Sequence, residues 1–167
     1  MEILWQELTA GWPDARQLIL VVVRLLAATL LGAAVGLQRE LAGKPAGLRT
    51  HMLVTLGTAV FVIACSASGM SSDGLSRVIQ GIITGIGFIG AGSILKLSQE
   101  RDIQGLTTAA GVWMTAAIGV AVGLGTLGVA VLSTLFALII LSLTTRFEHR
   151  LGARRAAEAE SGDDRTR

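Results

Sequence analysis

Five long apolar stretches constrain this chain more than any other feature of its sequence. They cover residues 17–37, 52–70, 77–95, 106–122 and 124–145, and few charged side chains interrupt them. Apolar stretches of about 18 residues or more are typical of helices that cross a lipid bilayer. Only 16% of the 167 residues are charged and 51% are hydrophobic, which argues against a soluble domain. The sequence therefore predicts an all-α integral membrane protein, a bundle of five transmembrane helices.

The distribution of basic residues predicts the orientation of this bundle. Basic residues on one side are Arg39, Lys44 and Arg49 after the first stretch, Lys96 and Arg101 after the third, and Arg146, Arg150, Arg154, Arg155, Arg165 and Arg167 after the fifth. The other side has Arg16 and Arg77. Because Lys and Arg accumulate in short cytoplasmic loops, we expect the N-terminus outside the cell and the C-terminus in the cytoplasm.

Three regions follow from this topology. Residues 1–16 form an external N-terminal segment whose tryptophans, Trp5 and Trp12, favour a short helix at the membrane surface. Residues 17–145 form the transmembrane domain, and residues 146–167 a basic and polar cytoplasmic tail. Arg146, Arg150 and Arg154 are four residues apart, so they share a helical face that contacts anionic lipid or, alternatively, a protein partner.

Small residues recur at intervals of four in three of the stretches. The sets are Ala28, Gly32 and Gly36; Gly81, Gly85 and the later Gly92; and Gly111, Thr115, Gly119 and Gly123. Such stripes allow helices to approach closely in lipid, either within one bundle or across a homodimer. Gly87, Gly90 and Gly92 also crowd the end of the third stretch, which predicts a kink or a local unwinding like those at transporter sites.

Polar residues in the spans are few. Arg24 is the one charge in the interior of a predicted span; it is either a functional residue, with Asp14 or Asp73 as partner, or a side chain that snorkels to the outer interface. No Asp or Glu lies within a span, so the usual carboxylate ligands of Mg²⁺ are missing there. The sequence contains no common catalytic motif, and two literal matches to G-x-G-x-x-G lack the strand-to-helix context of a nucleotide site. We therefore predict no enzymatic activity, no cofactor, no metal site and no nucleic-acid partner.

The polar linker "LQRELAGKPAGLRTHML" separates the first two stretches. Pro45 and Gly47 break helices, and Thr50 is a good N-cap for the second span. The segment "GLTTAA" opens the fourth span in the same way. We hypothesise that both segments meet as one cytoplasmic patch, in which Arg49 pairs with Glu40, Glu100 or Asp102. Alternatively, the basic residues only set the topology and the acids are solvated. His51 is interpreted as an interfacial topology residue.

Four stretches of the chain resemble the MgtC/SapB family of bacterial inner-membrane proteins. They are "LLGAAVGLQRE" (30–40), "KPAGLRTHMLVTLGTAVF" (44–61), "RVIQGIITGIGFIGAGSIL" (77–95) and "IQGLTTAAGVWMTAAIGVAVGLG" (103–125). The chain is similar to the shorter SapB or YhiD type, which lacks the C-terminal ACT-like domain of the founding members. Gln38 departs from the family pattern, since many members carry Glu there, and this weakens a metal site at that position.

The resemblance implies a location in the bacterial inner membrane and a link to growth at low Mg²⁺, to acid and host stress, to virulence, and to restraint of the F-type ATP synthase. The family motifs, together with Arg24 and Asp102, give a candidate functional patch: Arg24, Arg39, Glu40, Arg49, Thr50, His51, Gly87, Gly90, Gly92, Asp102, Thr107 and Thr108. Two functions remain open: a regulator that binds another membrane protein, and a transporter or channel for Mg²⁺ or another small solute. The missing carboxylates favour the regulator, whereas the glycine cluster favours the transporter.

Overall fold

The computed structural model describes residues 1–2, 4–5, 14–96 and 103–143. Five long helices make up most of this described part: α1 (Ala15–Leu41), α2 (Leu48–Ala67), α3 (Ser72–Gly92), α4 (Leu106–Gly123) and α5 (Leu127–Leu143). Two short strands, β1 (Leu95–Lys96) and β2 (Ile103–Gln104), pair antiparallel between α3 and α4. The predicted N-terminal surface helix, the tail 146–167 and Asp102 lie wholly or largely outside the described residues.

The expected membrane bundle is confirmed by the length and composition of the helices. Four of them, α1 to α4, are long and apolar enough to cross a membrane, and α5 is a shorter apolar helix. The helix boundaries differ from the predicted ones by several residues: α3 begins at Ser72 instead of 77, and α1 continues to Leu41 into the polar linker. We name the two ends of the bundle by their connections. The linker end carries residues 42–47, 93–96 and 103–105, and the opposite end carries residues 68–71 and 124–126.

Three helix ends are closed by residue types that are typical of such positions. The Asp14 carboxylate accepts a hydrogen bond from the backbone N–H of Gln17 at the start of α1, at 2.7 Å. Gly43 lies two residues after the end of α1, and its φ of +67° allows its N–H to reach the carbonyl of Glu40 while Lys44 N–H reaches the carbonyl of Arg39. Gly125, with a φ of +81°, follows α4 and closes its end by the same double hydrogen bond.

The predicted cap of the second span is wrong. α2 begins at Leu48 with Gly47 as its N-cap, and Thr50 lies inside the first turn instead of before it. Gly47 has no side chain to offer, but the Glu40 carboxylate of α1 accepts a hydrogen bond from the N–H of Leu48 at 2.9 Å. The cap therefore comes from a neighbouring helix, because the short linker returns the chain beside the end of α1.

The core is built around α2, which lies between α1 and α4. A Cβ added at Gly36 of α1 would lie 2.7 Å from the Cα of Leu48, and one added at Gly123 of α4 would lie 2.6 Å from the Cβ of Val62. A Cβ added at Gly32 would lie even closer to the Thr55 hydroxyl, and one added at Gly119 even closer to the Thr58 hydroxyl. The interpretation of these stripes as packing faces within one bundle is thus confirmed for α1 and α4.

The structure of α3 differs from the prediction in two ways. This helix is continuous from Ser72 to Gly92, so the expected kink is absent from it. A Cβ added at Gly81, Gly85, Gly87 or Gly92 would meet no described atom within 4 Å. No neighbouring residue in the described chain contacts these glycines, so no contact distorts the backbone there. Peptide groups in lipid have no other hydrogen-bond partners, and the helix therefore remains regular. Gly90 is the exception and packs against Ala109.

Candidate functional site

Arg39 is the buried centre of the polar patch at the linker end. It lies in the last turn of α1 with only 2% of its surface exposed. Its Nη2 donates a hydrogen bond to the Thr108 hydroxyl at the start of α4, at 2.7 Å. This contact brings the first linker and the "GLTTAA" segment together, as the sequence hypothesis requires. An arginine buried among membrane helices needs such partners, because a charge in apolar surroundings is costly.

The expected ion pair between Arg49 and Glu40 does not form in the described part of the structure. Arg49 is exposed, and the carboxylate of Glu40 contacts the N-terminus of α2 instead of this side chain. A Cβ at Gly47 would lie 2.8 Å from Glu40 Oε2, so glycine leaves the space in which the carboxylate sits. A carboxylate at this position also interacts favourably with the positive end of the α2 dipole. Glu100 and Asp102, the other expected partners, lie outside the described residues.

His51 is a core residue and not an interfacial one, which corrects the sequence interpretation. None of its surface is exposed, and its Nδ1 lies 3.0 Å from the carbonyl of Gly47. A carbonyl only accepts hydrogen bonds, so Nδ1 carries the proton and the Nε2 of a neutral ring is an acceptor. This Nε2 is buried, faces Gly111 of α4, and has no hydrogen-bond partner among the described residues.

A column of buried polar side chains continues from His51 towards the middle of the bundle. We call it the polar column; its members are Arg39, Thr108, His51, Thr55, Thr115 and Thr58. The hydroxyls of Thr55, Thr58 and Thr115 donate to carbonyls of their own helix, for example Thr55 to His51 and Thr115 to Gly111, both at 2.8 Å. These hydroxyls are therefore satisfied without water or a ligand.

The polar column ends at a layer of tightly packed apolar residues. Ala28 of α1, Ala59 and Val62 of α2, and Val122 of α4 form this apolar layer, and each of them is 0% exposed. Gly123 brings α4 directly against Val62 at the same level. Among the described residues, the buried polar side chains other than threonine, Arg39 and His51, lie on the linker side of this layer.

Arg24 lies beyond the apolar layer, at the opposite end, and its partner differs from the expected acids. Its Nη1 donates a hydrogen bond to the carbonyl of Gly123 at 3.1 Å, and its guanidinium lies against Gly125. The last carbonyls of a helix have no partner within that helix and carry partial negative charge. Arg24 therefore caps the C-terminus of α4, and neither Asp14 nor Asp73 forms a recorded ion pair with it in the described chain.

A cavity of about 450 Å³ opens at the linker end beside Arg39. Its polar lining consists of Arg39, Lys44, Ser93, Gln104, Thr107 and Thr108. None of the described lining residues is a carboxylate, and no group of three or more potential metal ligands occurs in the described part of the chain. The described lining therefore lacks the carboxylate oxygens that Mg²⁺ prefers.

The remaining candidates are dispersed. Thr107 is exposed at the mouth of this cavity, and Thr50 is half-buried one turn into α2. Gly87 and Gly92 face away from the bundle, while Gly90 contacts α4. The sequence analysis did not select the buried Thr55 and Thr58, nor the contact of Gly111 with His51. Threonines repeated on one apolar helix could have indicated the first two. The contact between Gly111 and His51 joins two helices and cannot be inferred from spacing along one helix.

Comparison with known proteins finds relatives that agree with one another. A protein-family model described as "MgtC family" matches residues 25–150. The chain is 45% identical over 130 residues to "Protein SrpB" of Synechococcus elongatus, covering 71% of each chain. It is 41% identical over 137 residues to "Putative magnesium transporter YhiD" of Escherichia coli K12, covering 78% of this chain and 63% of that protein.

A third relative is "Protein MgtC" of Salmonella typhimurium LT2, which is 42% identical over 117 residues. That match covers 70% of this chain and 49% of the Salmonella protein, so the chain spans about half of its length. No solved structure matches the chain significantly.

Proposed function

The chain belongs to the MgtC family, and from this premise we propose that it is a non-enzymatic regulator that binds another membrane protein. We place it in the bacterial inner membrane, with the N-terminus outside and the basic linker end in the cytoplasm, because Lys and Arg concentrate there. Its activity serves adaptation to low Mg²⁺ or to acid and host stress. The family link suggests the F-type ATP synthase as the protein it restrains.

The apolar layer is the observation that carries this proposal. A transporter needs a polar path, or two alternating half-paths, that reaches both sides of the membrane. The polar column reaches only the apolar layer, where four side chains are fully buried. Thr55, Thr58 and Thr115 of the column already donate to backbone carbonyls. A regulator, by contrast, needs only a rigid bundle and exposed faces, and the groove between α2 and α3, with the exposed Phe61 and Phe88, is one such face.

Transport of Mg²⁺ is the second candidate, and two observations favour it. The polar column extends from the cavity at the linker end into the bundle, as one half of a path would. The relative from Escherichia coli is named "Putative magnesium transporter YhiD". Against it stands the lining of the cavity, which contains no carboxylate among the described residues.

The deciding experiment measures Mg²⁺ uptake by liposomes that contain the purified full chain and a Mg²⁺-sensitive dye. We expect no uptake above that of empty liposomes. The matched variant is Thr115→Val, which removes a buried hydroxyl of the polar column but keeps nearly the same shape. Saturable uptake that this variant loses would overturn the regulator and establish the transporter.

A second measurement tests the partner directly. Affinity-tagged chain is purified from detergent-solubilised bacterial membranes, and subunits of the F-type ATP synthase are quantified in the eluate. We expect enrichment over a tagged, unrelated membrane protein of similar size. Lack of enrichment, combined with normal folding, would remove the ATP synthase from the proposal.

A further inference from the structure

The exposed surface of α3 includes apolar side chains such as Ile83 and Phe88, but one stripe of it carries polar residues, which is unusual for a helix that faces lipid. α3 packs against α4 and α2 through residues such as Ile82, Ile86 and Gly90. The opposite face of the same helix contains Asp73, Arg77, Gln80, Thr84, Gly87 and Ala91, and all six are exposed. We call this set the α3 seam. Its residues follow one another at intervals of four, three, four, three and four.

This spacing is that of a heptad repeat. Residues spaced alternately by four and three lie along one stripe of a helix that crosses an identical helix at a small left-handed angle. In membranes, such crossings at about 20° are the commonest packing of helices. Asp73, Gln80 and Gly87 occupy one of the two core positions of the repeat, and Arg77, Thr84 and Ala91 occupy the other.

Gln80 supplies an independent argument that the seam is covered. It is the ninth residue of α3, so it lies about 12 Å along the helix, near the middle of a bilayer. Its side chain is exposed, and no hydrogen bond to its amide is recorded within the described chain. An amide in hydrocarbon without a partner is costly, and side-chain hydrogen bonds between helices are the usual remedy.

From these observations we propose that the protein forms a homodimer in which the α3 seams of two copies pack against each other. Both copies insert with the same orientation, so their two-fold axis runs along the membrane normal and the two α3 helices are parallel. Identical residues then meet at each level: the Gln80 amides bond to each other, and Gly87 lets the backbones approach.

The charges at the opposite end of the seam fit this arrangement. In a parallel pair, a core residue packs against the partner residue four positions further along. Asp73 of each copy therefore reaches Arg77 of the other, which gives two symmetric ion pairs at the membrane surface. Neither residue has a recorded ion pair within the described part of its own chain. A face with alternating acid and base is complementary to itself, and this favours a second copy over a different partner.

Disulfide crosslinking of the purified full chain in liposomes tests the proposal. The native Cys65 is first replaced by serine, and Thr84→Cys is introduced in the seam. Ile139→Cys is the matched control, because it is also the thirteenth residue of its helix from the same end and is 53% exposed. We expect at least about tenfold more crosslinked dimer for Thr84→Cys, since only the seam brings identical residues together. Equal crosslinking of the two variants, or none, would overturn the proposal.

Two glycine variants provide the second arm of the test. An added Cβ meets no described atom within 4 Å at Gly87, in the seam, or at Gly81, in the groove between α2 and α3. Neither Gly87→Leu nor Gly81→Leu should therefore disturb one chain. We expect Gly87→Leu to weaken dimerisation by about tenfold in a fluorescence energy transfer assay, because a side chain at the closest approach separates the helices. Weakening by Gly81→Leu alone would place the interface in the groove and contradict the seam.

Discussion

The glycines of α1 and α4 and those of α3 follow the same spacing in the sequence but have opposite surroundings. Gly32, Gly36, Gly119 and Gly123 touch the backbone or the side chains of α2 so closely that a methyl group would not fit. Gly81 and Gly85 face a groove of about 820 Å³. A glycine stripe therefore indicates the capacity for close approach, and only the neighbouring element determines whether it is used.

This difference divides the molecule into two parts with different tolerance to change. α1, α2 and α4 form an interlocked core that holds the polar column, the apolar layer and Arg39. α3 is attached to this core along one side and leaves a polar face and a groove open. We expect substitutions in the core to change stability, and substitutions on the open side of α3 to change association instead.

The largest expected effect is that of Gly119→Ala. The added methyl group would collide with the Thr58 hydroxyl and with the backbone carbonyl of Thr55, so α2 and α4 must move apart. Overpacking of this kind costs about 3 kcal/mol of unfolding free energy. Unfolding in SDS, followed by circular dichroism, measures it. Gly81→Ala is the control and should be unchanged or more stable by up to about 1 kcal/mol, because alanine is the better helix former. Equal losses in both variants would break the comparison.

The two arginines of the linker region extend the comparison to charged residues. Arg39→Gln shortens a buried side chain and breaks the bond to Thr108, so we expect a loss of about 2 kcal/mol, as for a buried hydrogen bond to a charged group. Arg49→Gln alters an exposed residue and should change stability by less than about 0.5 kcal/mol. The same SDS titration distinguishes them. If Arg49→Gln proved the more harmful, the sequence hypothesis for Arg49 would be restored.

Gly125→Ala tests the opposite end of the core. Gly125 has a φ of +81° and lies against the guanidinium of Arg24, so alanine there is strained and also displaces the cap of α4. We expect a loss of about 1–2 kcal/mol. Gly128→Ala, three residues further along and inside α5, meets no described atom within 4 Å and should be neutral. Thermal melting, followed by the reaction of a thiol-reactive dye with Cys65, measures the stability of both variants. If the stability of Gly125→Ala were unchanged, this would argue against the capping role of Arg24.

The smallest expected effect concerns Glu40 at the start of α2. Glu40→Gln keeps an oxygen that can accept from Leu48 N–H but removes the charge, so we expect a loss of about 0.5 kcal/mol from the helix dipole. Glu40→Ala removes both and should lose about 1 kcal/mol. The difference between the wild type and Glu40→Gln should shrink in high salt, because this region is exposed. Losses that do not depend on salt would indicate that only the hydrogen bond matters.

Much of the architecture was predictable because it depends on local properties. Long apolar stretches must become helices in a bilayer, since their peptide groups have no other hydrogen-bond partners. The helix ends were less accurate, and the error at Thr50 has a clear cause. Sequence patterns recognise a cap that the helix itself supplies, whereas the cap of α2 comes from Glu40, eight residues earlier and on another helix.

The candidate site was predicted in composition but not in its arrangement. Arg39 and Thr108 were both selected from the sequence, and their contact spans 69 positions. His51 was placed at an interface because histidine is polar and lies near the end of an apolar stretch. In the fold it is fully buried, since α1 and α4 close over this first turn of α2. Arg24 was expected to need an acid, whereas a helix C-terminus satisfies it.

The sequence alone determined that this chain is a helical membrane protein, which end of the bundle is basic, and which helices can approach closely, because hydropathy, charge and residue size act locally. Only the tertiary structure decided which glycine faces are occupied, which arginine is buried, and where the polar column stops. Those features depend on contacts between residues that are distant in sequence. In the fold, α2 packs between α1 and α4 and makes these contacts. α3 packs mainly against α4, so its other side stays uncovered.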